Sequence, residues 1–412
     1  MTGAVTSSWV QDIQTGAIGA HDLLVLDMQE HPGMAERATA AVARGGAVVD
    51  VDDFRGDYAV GHRCPLSGLG SAMMIAMRRM QATVVPRLTV LLVSLMLLTG
   101  CVTRLAPPGA STEKPMETAD TFIMRDGFRL PYRVWLPDGA PWAVVLALHG
   151  MNDSRDAWEY PAPDLAAAGI AVFAPDQRGF GATATRGFWA GTQGLAEDAR
   201  TTLGLLRDRY PKARHVLMGE SMGAAVLMVL ATSQHPPPVD GYVLIAPAVW
   251  GRAKMSVFLR ALLWTASNTV PGWRLTGSGI VKITASDNRD ALVRLSTDPL
   301  TIKGTRVDAV RGLVDLMDAA LAAAPRVLAP SLFLYGGRDE LVPPKATAAT
   351  WGQLPTGPVR GFYPDGYHLM LRDHARAVPI SDIAAWIREP DAPLPSGADK
   401  AAAAWLAKRG AD

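Results

Sequence analysis

His215-Val216-Leu217-Met218-Gly219-Glu220-Ser221-Met222-Gly223-Ala224-Ala225-Val226-Leu227-Met228-Val229 decides how this chain folds. A short apolar run, His215–Met218, enters a G-x-S-x-G turn and leaves it through a second apolar run that reads as helix to Thr232. Such a first run suits a strand buried on both faces. The serine between them sits on a strained turn, and its flanking positions must be glycine, because side chains there would strike the neighbouring strand and helix. The turn lifts Ser221 Oγ above the sheet. It also sets the Met222 N–H at the start of a helix, where the dipole favours an oxyanion. Ser221 is therefore a candidate nucleophile and the Met222 amide a candidate oxyanion donor.

Similar runs recur outward from this stretch. Ala143–Leu148, Ile170–Ala174, Tyr242–Ile245 and Leu332–Tyr335 are short and apolar, with helical stretches such as Leu195–Arg209 between most of them. Thr121–Leu136 alternates apolar and polar residues around Asp126-Gly127, a hairpin signature. The pattern predicts an α/β fold, a mostly parallel central sheet with helices on both faces, over residues 121–247 and 330–389. Between Pro247 and Pro330 the segments are helix-like, with no buried strand. Lys254–Ala266 is apolar nearly all round, and Val307, Val310, Val314, Met317 and Leu321 recur at helical spacing. Residues 248–329 are thus expected to be a helical insertion, and the Ala-, Pro- and Gly-rich residues 390–412 a loosely held tail.

A serine hydroxyl needs a base. His149, His215, His235, His368 and His374 are the histidines from residue 121 onward. His368, in Asp365-Gly366-Tyr367-His368, follows the last strand-like run, Val359–Tyr363, and can reach over the sheet edge. His374 is the weaker alternative, His215 and His235 read as structural or surface residues, and His149 as a loop brace. The imidazole needs an acid to orient it. In Gly336-Gly337-Arg338-Asp339-Glu340-Leu341-Val342-Pro343 the spacing favours Asp339, at a strand's end, with Glu340 the adjacent alternative. The second oxyanion donor falls to the backbone N–H of Met151, in the loop after Ala143–Leu148.

Taken in order, HGMNDS (149–154), DQRGFGAT (176–183), GESMGAA, GGRDELVPP and DGYH resemble the α/β-hydrolase superfamily over about residues 121–389. Within it they are similar to the monoacylglycerol lipase and lysophospholipase branch. The order Ser221, Asp339, His368 is the order that superfamily uses. The resemblance implies a serine ester hydrolase that cleaves acyl esters of lipid-like substrates through an acyl-enzyme, with no cofactor or metal. It also implies that residues 248–329 are a cap, with an acyl-binding tunnel above the triad. Val257, Phe258, Leu259, Leu262, Leu263 and Trp264 would then either line the tunnel or pack in the core. A general carboxylesterase, a peptidase and an acyltransferase share the fold, and a non-catalytic lipid-binding lipoprotein is the reading from another class.

Residues 77–101, MRRMQATVVPRLTVLLVSLMLLTGC, carry Arg78, Arg79 and Arg87 ahead of the apolar run Leu88–Leu98. Leu98-Thr99-Gly100-Cys101 resembles the lipobox of bacterial lipoproteins. The resemblance implies a signal peptide over 77–100, a membrane anchor through lipid on Cys101 and, with Val102 next, an outer-membrane protein facing the periplasm. Residues 101–120 would be a flexible tether. A signal peptide belongs at a chain's start, so translation is expected from Met77 or Met80, with residues 1–76 a mis-assigned extension; a cytoplasmic extension before an internal anchor is the competing account.

Composition narrows the classes further. With 40 Lys+Arg against 39 Asp+Glu there is no basic excess for nucleic acid, and 49% apolar residues argue against long disorder. Two cysteines, Cys64 and Cys101, leave no disulfide framework and no cysteine-based zinc or iron–sulfur site.

Overall fold

Short apolar strands need cover on both faces, and Ala143–Leu148, Ile170–Pro175, Gly241–Ile245 and Ser331–Gly336 receive it along their whole length. In the computed structural model, β4 (Ala143–Leu148), β5 (Ile170–Pro175), β6 (Arg214–Glu220), β7 (Gly241–Ile245), β10 (Ser331–Gly336) and β11 (Val359–Tyr363) form a parallel array. The structure describes residues 104–276, 283–327 and 330–409. β1 (Met116–Glu117), β2 (Thr121–Ile123) and β3 (Arg129–Trp135) extend the sheet antiparallel, in the order β1-β2-β3-β5-β4-β6-β7-β10-β11. The mostly parallel sheet expected from the apolar runs is the one observed.

Alternation along β4 shows how both faces are filled. Val144, Leu146 and Leu148 pack in one cluster with α2 (Thr192–Arg209) and α3 (Met222–Ala231). Ala143, Val145 and Ala147 pack in the other with α1 (Pro161–Ala167) and α8 (Ala377–Arg388). Burying each larger aliphatic side chain contributes about 1.5–3 kcal/mol, so this double cover is the main stabilising term. The carboxyl ends of β4, β6, β10 and β11 then fall along one edge, where the loops carrying the chemistry begin.

The insertion at 248–329 departs from expectation in three ways. It holds α4 (Val257–Thr269), α5 (Arg289–Thr297) and α6 (Val307–Ala323), but also β8 (Arg274–Thr276) and β9 (Gly304–Arg306), a small antiparallel sheet of its own. Neither strand is buried, and three-residue strands leave almost no sequence pattern. α6 belongs to the core, where Ala309, Leu316, Ala320 and Ala323 share the α3 cluster. Finally, α4 is capped by Ser256, whose Oγ accepts the Leu259 N–H at 3.2 Å, but its apolar side chains face outward. Phe258 is 77% exposed, Val257 72% and Trp264 67%, and of the six residues assigned to a tunnel or the core only Leu263 is half-buried. Among the described residues α4 packs chiefly on α6, and its apolar side chains stay exposed rather than packing as core.

Two expectations about the ends also change. α9 (Ala398–Arg409) is a packed helix on β11 rather than a loose tail. Trp405 stacks on Phe362 at 5.0 Å between ring centroids and meets Tyr335 and Trp351 at 5.6 and 5.5 Å. One well-placed aromatic outweighs an Ala-rich composition. Residues 104–120 are likewise held against the domain and are not a free tether. The Ala106 N–H donates to Trp189 O at 2.9 Å and the Thr112 N–H to Arg125 O at 2.7 Å. Cys101, residues 77–100 that were expected to be a signal peptide, and residues 1–76 lie outside the described residues. Among the described residues no helix is long and apolar enough to cross a membrane.

Candidate active site

Ser221 stands between the last residue of β6 and the first of α3, with φ 53° and ψ −111°. A non-glycine residue held there costs about 1–3 kcal/mol and persists only where its surroundings over-determine it. They do. The Ser221 N–H donates to Ile245 O at 2.9 Å, and its carbonyl accepts the N–H groups of Ala225 and Ala248 at 3.1 and 3.0 Å. The flanking glycines are needed for space. A Cβ on Gly219 would lie 2.5 Å from the Gly223 carbonyl carbon, and one on Gly223 only 2.2 Å from Leu148 O.

Asp339 and His368 meet across the loops after β10 and β11. The His368 Nδ1–H donates to Asp339 Oδ2 at 2.8 Å, and both residues are buried. Asp339 Oδ1 accepts the N–H groups of Leu341 and Val342 at 2.8 and 2.9 Å, which holds the carboxylate in place. The two loops touch backbone to backbone, since a Cβ on Gly336 would stand 2.3 Å from Gly366 O. Glu340, the alternative acid, is exposed and turned away, its Oε2 accepting the Thr284 N–H at 2.7 Å. His374 is exposed too, with its N–H on Asp287. With Nδ1 committed to Asp339, the Nε2 of His368 is the nitrogen left for proton transfer. Burial alone would pull its pKa down, but the charge and hydrogen bond of Asp339, with Glu220 behind them, outweigh burial and raise it.

Gly150 brings the expected oxyanion loop against the elbow: a Cβ there would lie 3.5 Å from Ser221 Cβ. Met151 follows it in a tight turn closed by the Asp153 N–H to Gly150 O, 3.3 Å, with Asn152 at φ 65°. Met222 opens α3, so its N–H is among those a helix leaves without an intrahelical acceptor. His149 braces this loop through both ring nitrogens. Nδ1–H donates to Gly150 O at 2.8 Å, while Nε2 accepts the Gln177 N–H at 3.1 Å. Burial lowers its pKa, which keeps the ring neutral. His215 lies at the far, amino-terminal end of β6, and His235 is exposed.

Sequence reasoning assigned no role to a buried ionic cluster beside the elbow. The Arg372 Nη2 donates to an Asp153 carboxylate oxygen and to Glu220 Oε2, the latter at 3.1 Å. One signal was present: a carboxylate inside a buried turn, in G-E-S-M-G, demands a cation, and nothing local supplies it.

The serine aminopeptidase, S33 family matches residues 139–375, more than half of the chain. The chain belongs to that family. Among curated relatives of this S33 member, the monoacylglycerol lipase of Mycolicibacterium smegmatis is 25% identical over 264 residues, covering 63% of this chain and 93% of that protein. The monoglyceride lipase of Rattus norvegicus is 26% identical over 263 residues, covering 63% and 86%. The crystal structure of Paleococcus ferrophilus monoacylglycerol lipase superimposes with a TM-score of 0.55 at 22% identity, covering 64% of this chain and 99% of that one. A soluble variant of Saccharomyces cerevisiae monoglyceride lipase gives 0.57 at 17%, covering 69% and 99%. These likenesses show the α/β-hydrolase fold.

Proposed function

We propose that the chain is a serine ester hydrolase cleaving acyl esters of lipid-like substrates, a monoacylglycerol or lysophospholipid, through an acyl-enzyme. The observation that carries this is the buried Asp339–His368 pair at the same sheet edge as Ser221 on its strained elbow. Ser221 Oγ attacks the ester carbonyl while His368 Nε2 takes its proton, and the N–H groups of Met151 and Met222 receive the oxyanion. His368 then protonates the departing alcohol. Water attacks the acyl-enzyme by the same route in reverse, releasing the acid and restoring Ser221. The names of the relatives support a glycerolipid substrate. So does the outward apolar face of α4, on the segment expected to be a cap. Labelling by a fluorophosphonate probe tests the activated serine, and turnover of monoacylglycerols against p-nitrophenyl acetate tests the substrate class. No labelling of Ser221 would overturn the reading.

The family's description as a serine aminopeptidase favours a second reading, hydrolysis of an N-terminal peptide bond by the same groups. Release of p-nitroaniline from aminoacyl anilides faster than turnover of any ester would select it. For location, the LTGC motif supports a lipid on Cys101 and a place in the bacterial envelope, at the outer membrane. Intact mass of the chain from its own host decides this: an unmodified Cys101 refutes the anchor.

A further inference from the structure

Two loops of the site and the end of β6 converge on one buried cation. Asp153 lies two residues beyond Met151, Glu220 immediately precedes Ser221, and Arg372 lies four residues beyond His368. Arg372 holds both carboxylates with the same Nη2, and all three side chains are buried. Ion pairing in the interior offsets a desolvation cost of several kcal/mol per charge only when geometry is close. Two acids, one in the oxyanion loop and one at the end of β6, held on one nitrogen, therefore have their separation set by that nitrogen.

We propose that Arg372 is a positioning residue for acyl transfer, tying the Met151 oxyanion loop to the Ser221 elbow and neutralising the Glu220 carboxylate beside the nucleophile. The inference rests on the hydrolase reading and goes beyond the triad and oxyanion donors. Its geometric half follows from the short chain between Asp153 and Met151: when the Asp153 carboxylate moves, the turn carrying the amide moves with it. Its electrostatic half follows from what surrounds each group. His368 is bonded to Asp339, and the charges of Glu220 and Arg372 also act on it, the first favouring and the second opposing its protonation. Arg372 faces Asp153 and Glu220, with His149 and His368 nearby. Without the cation, two buried acids would stand unneutralised on the segments that carry the oxyanion loop and the nucleophile. A purely structural ion pair would leave the chemical step untouched.

The test uses the full chain, a p-nitrophenyl ester and the variants Arg372→Met, Asp153→Asn and Glu220→Gln, with folding checked by thermal melts. Arg372→Met and Asp153→Asn each lower kcat about 100-fold, the scale of one displaced oxyanion donor, while KM stays within about threefold. Their double variant is no worse than the poorer single, since they act as a unit. Glu220→Gln removes an anion whose charge favours protonation of His368, so the acid limb of kcat/KM moves to lower pH. Normal kcat in folded Arg372→Met, or in folded Asp153→Asn should the first not fold, overturns the positioning role; an unmoved limb in Glu220→Gln overturns the charge role. A parent chain that neither turns over esters nor labels at Ser221 would sink the hydrolase reading itself, a result distinct from either.

Discussion

Gly223→Ala puts one methyl group where the structure has no room, and the consequence can be followed into catalysis. The added carbon would stand 2.2 Å from Leu148 O, 2.7 Å from Leu148 C and 2.9 Å from His149 O, whereas ordinary contact begins at 3.4 Å. All three atoms are backbone, so no side chain can swing aside, and about 1 Å must open between α3 and the end of β4. Overpacking of this kind costs about 1–3 kcal/mol. What it displaces is the segment leading into Gly150 and Met151, and a misplacement of about 1 Å in a reacting site costs on the order of 100-fold in rate. Steady-state kinetics on a p-nitrophenyl ester should show that loss in kcat with little change in KM, alongside a fall in Tm of roughly 2–4 °C per kcal/mol. Gly204→Ala in α2, where nothing lies within 4 Å, is the control and should leave kcat unchanged. A Gly223→Ala enzyme within about threefold of the parent would refute the claim that the elbow and oxyanion loop are set by this contact.

Ser221→Ala, His368→Ala and Asp339→Asn should each reduce kcat by about 1,000-fold or more without a matching loss of Tm, while Glu340→Gln stays within about threefold in the same ester assay. His368 must be neutral to accept a proton, and its pKa is raised above 6.5, so kcat/KM should fall as pH drops through a limb above 6.5. In Asp339→Asn the ring loses the charge that most favours its protonated form while burial still opposes it, and a pH–rate profile should show the limb displaced downward. Trp405→Ala removes ring contacts with Phe362, Tyr335 and Trp351, and thermal or denaturant melts should report a loss of about 2–3 kcal/mol with kcat preserved.

The sequence alone determined the parts whose physics is local. β4 and β7 were legible because strands buried on both faces are apolar along their length, and β6 through its apolar centre Val216–Met218. The elbow was legible because Gly219 and Gly223 are demanded by contacts within a few residues of the turn or with the adjoining strand. Those constraints write themselves into residue type at fixed spacing. Only the tertiary structure decided the rest. Spacing favoured Asp339 with Glu340 the adjacent alternative, and what separates the two carboxylates is which one meets a histidine 29 residues away. Arg372 reaches Asp153 across 219 residues, a pairing for which one sequence holds no periodicity. The same holds at the surface. α4 and α6 both read as apolar helices, yet among the described residues α6 is covered by α3 while the apolar side chains of α4 stay exposed. Apolar side chains record that a helix can be buried; whether it is depends on what the remainder of the chain brings against it.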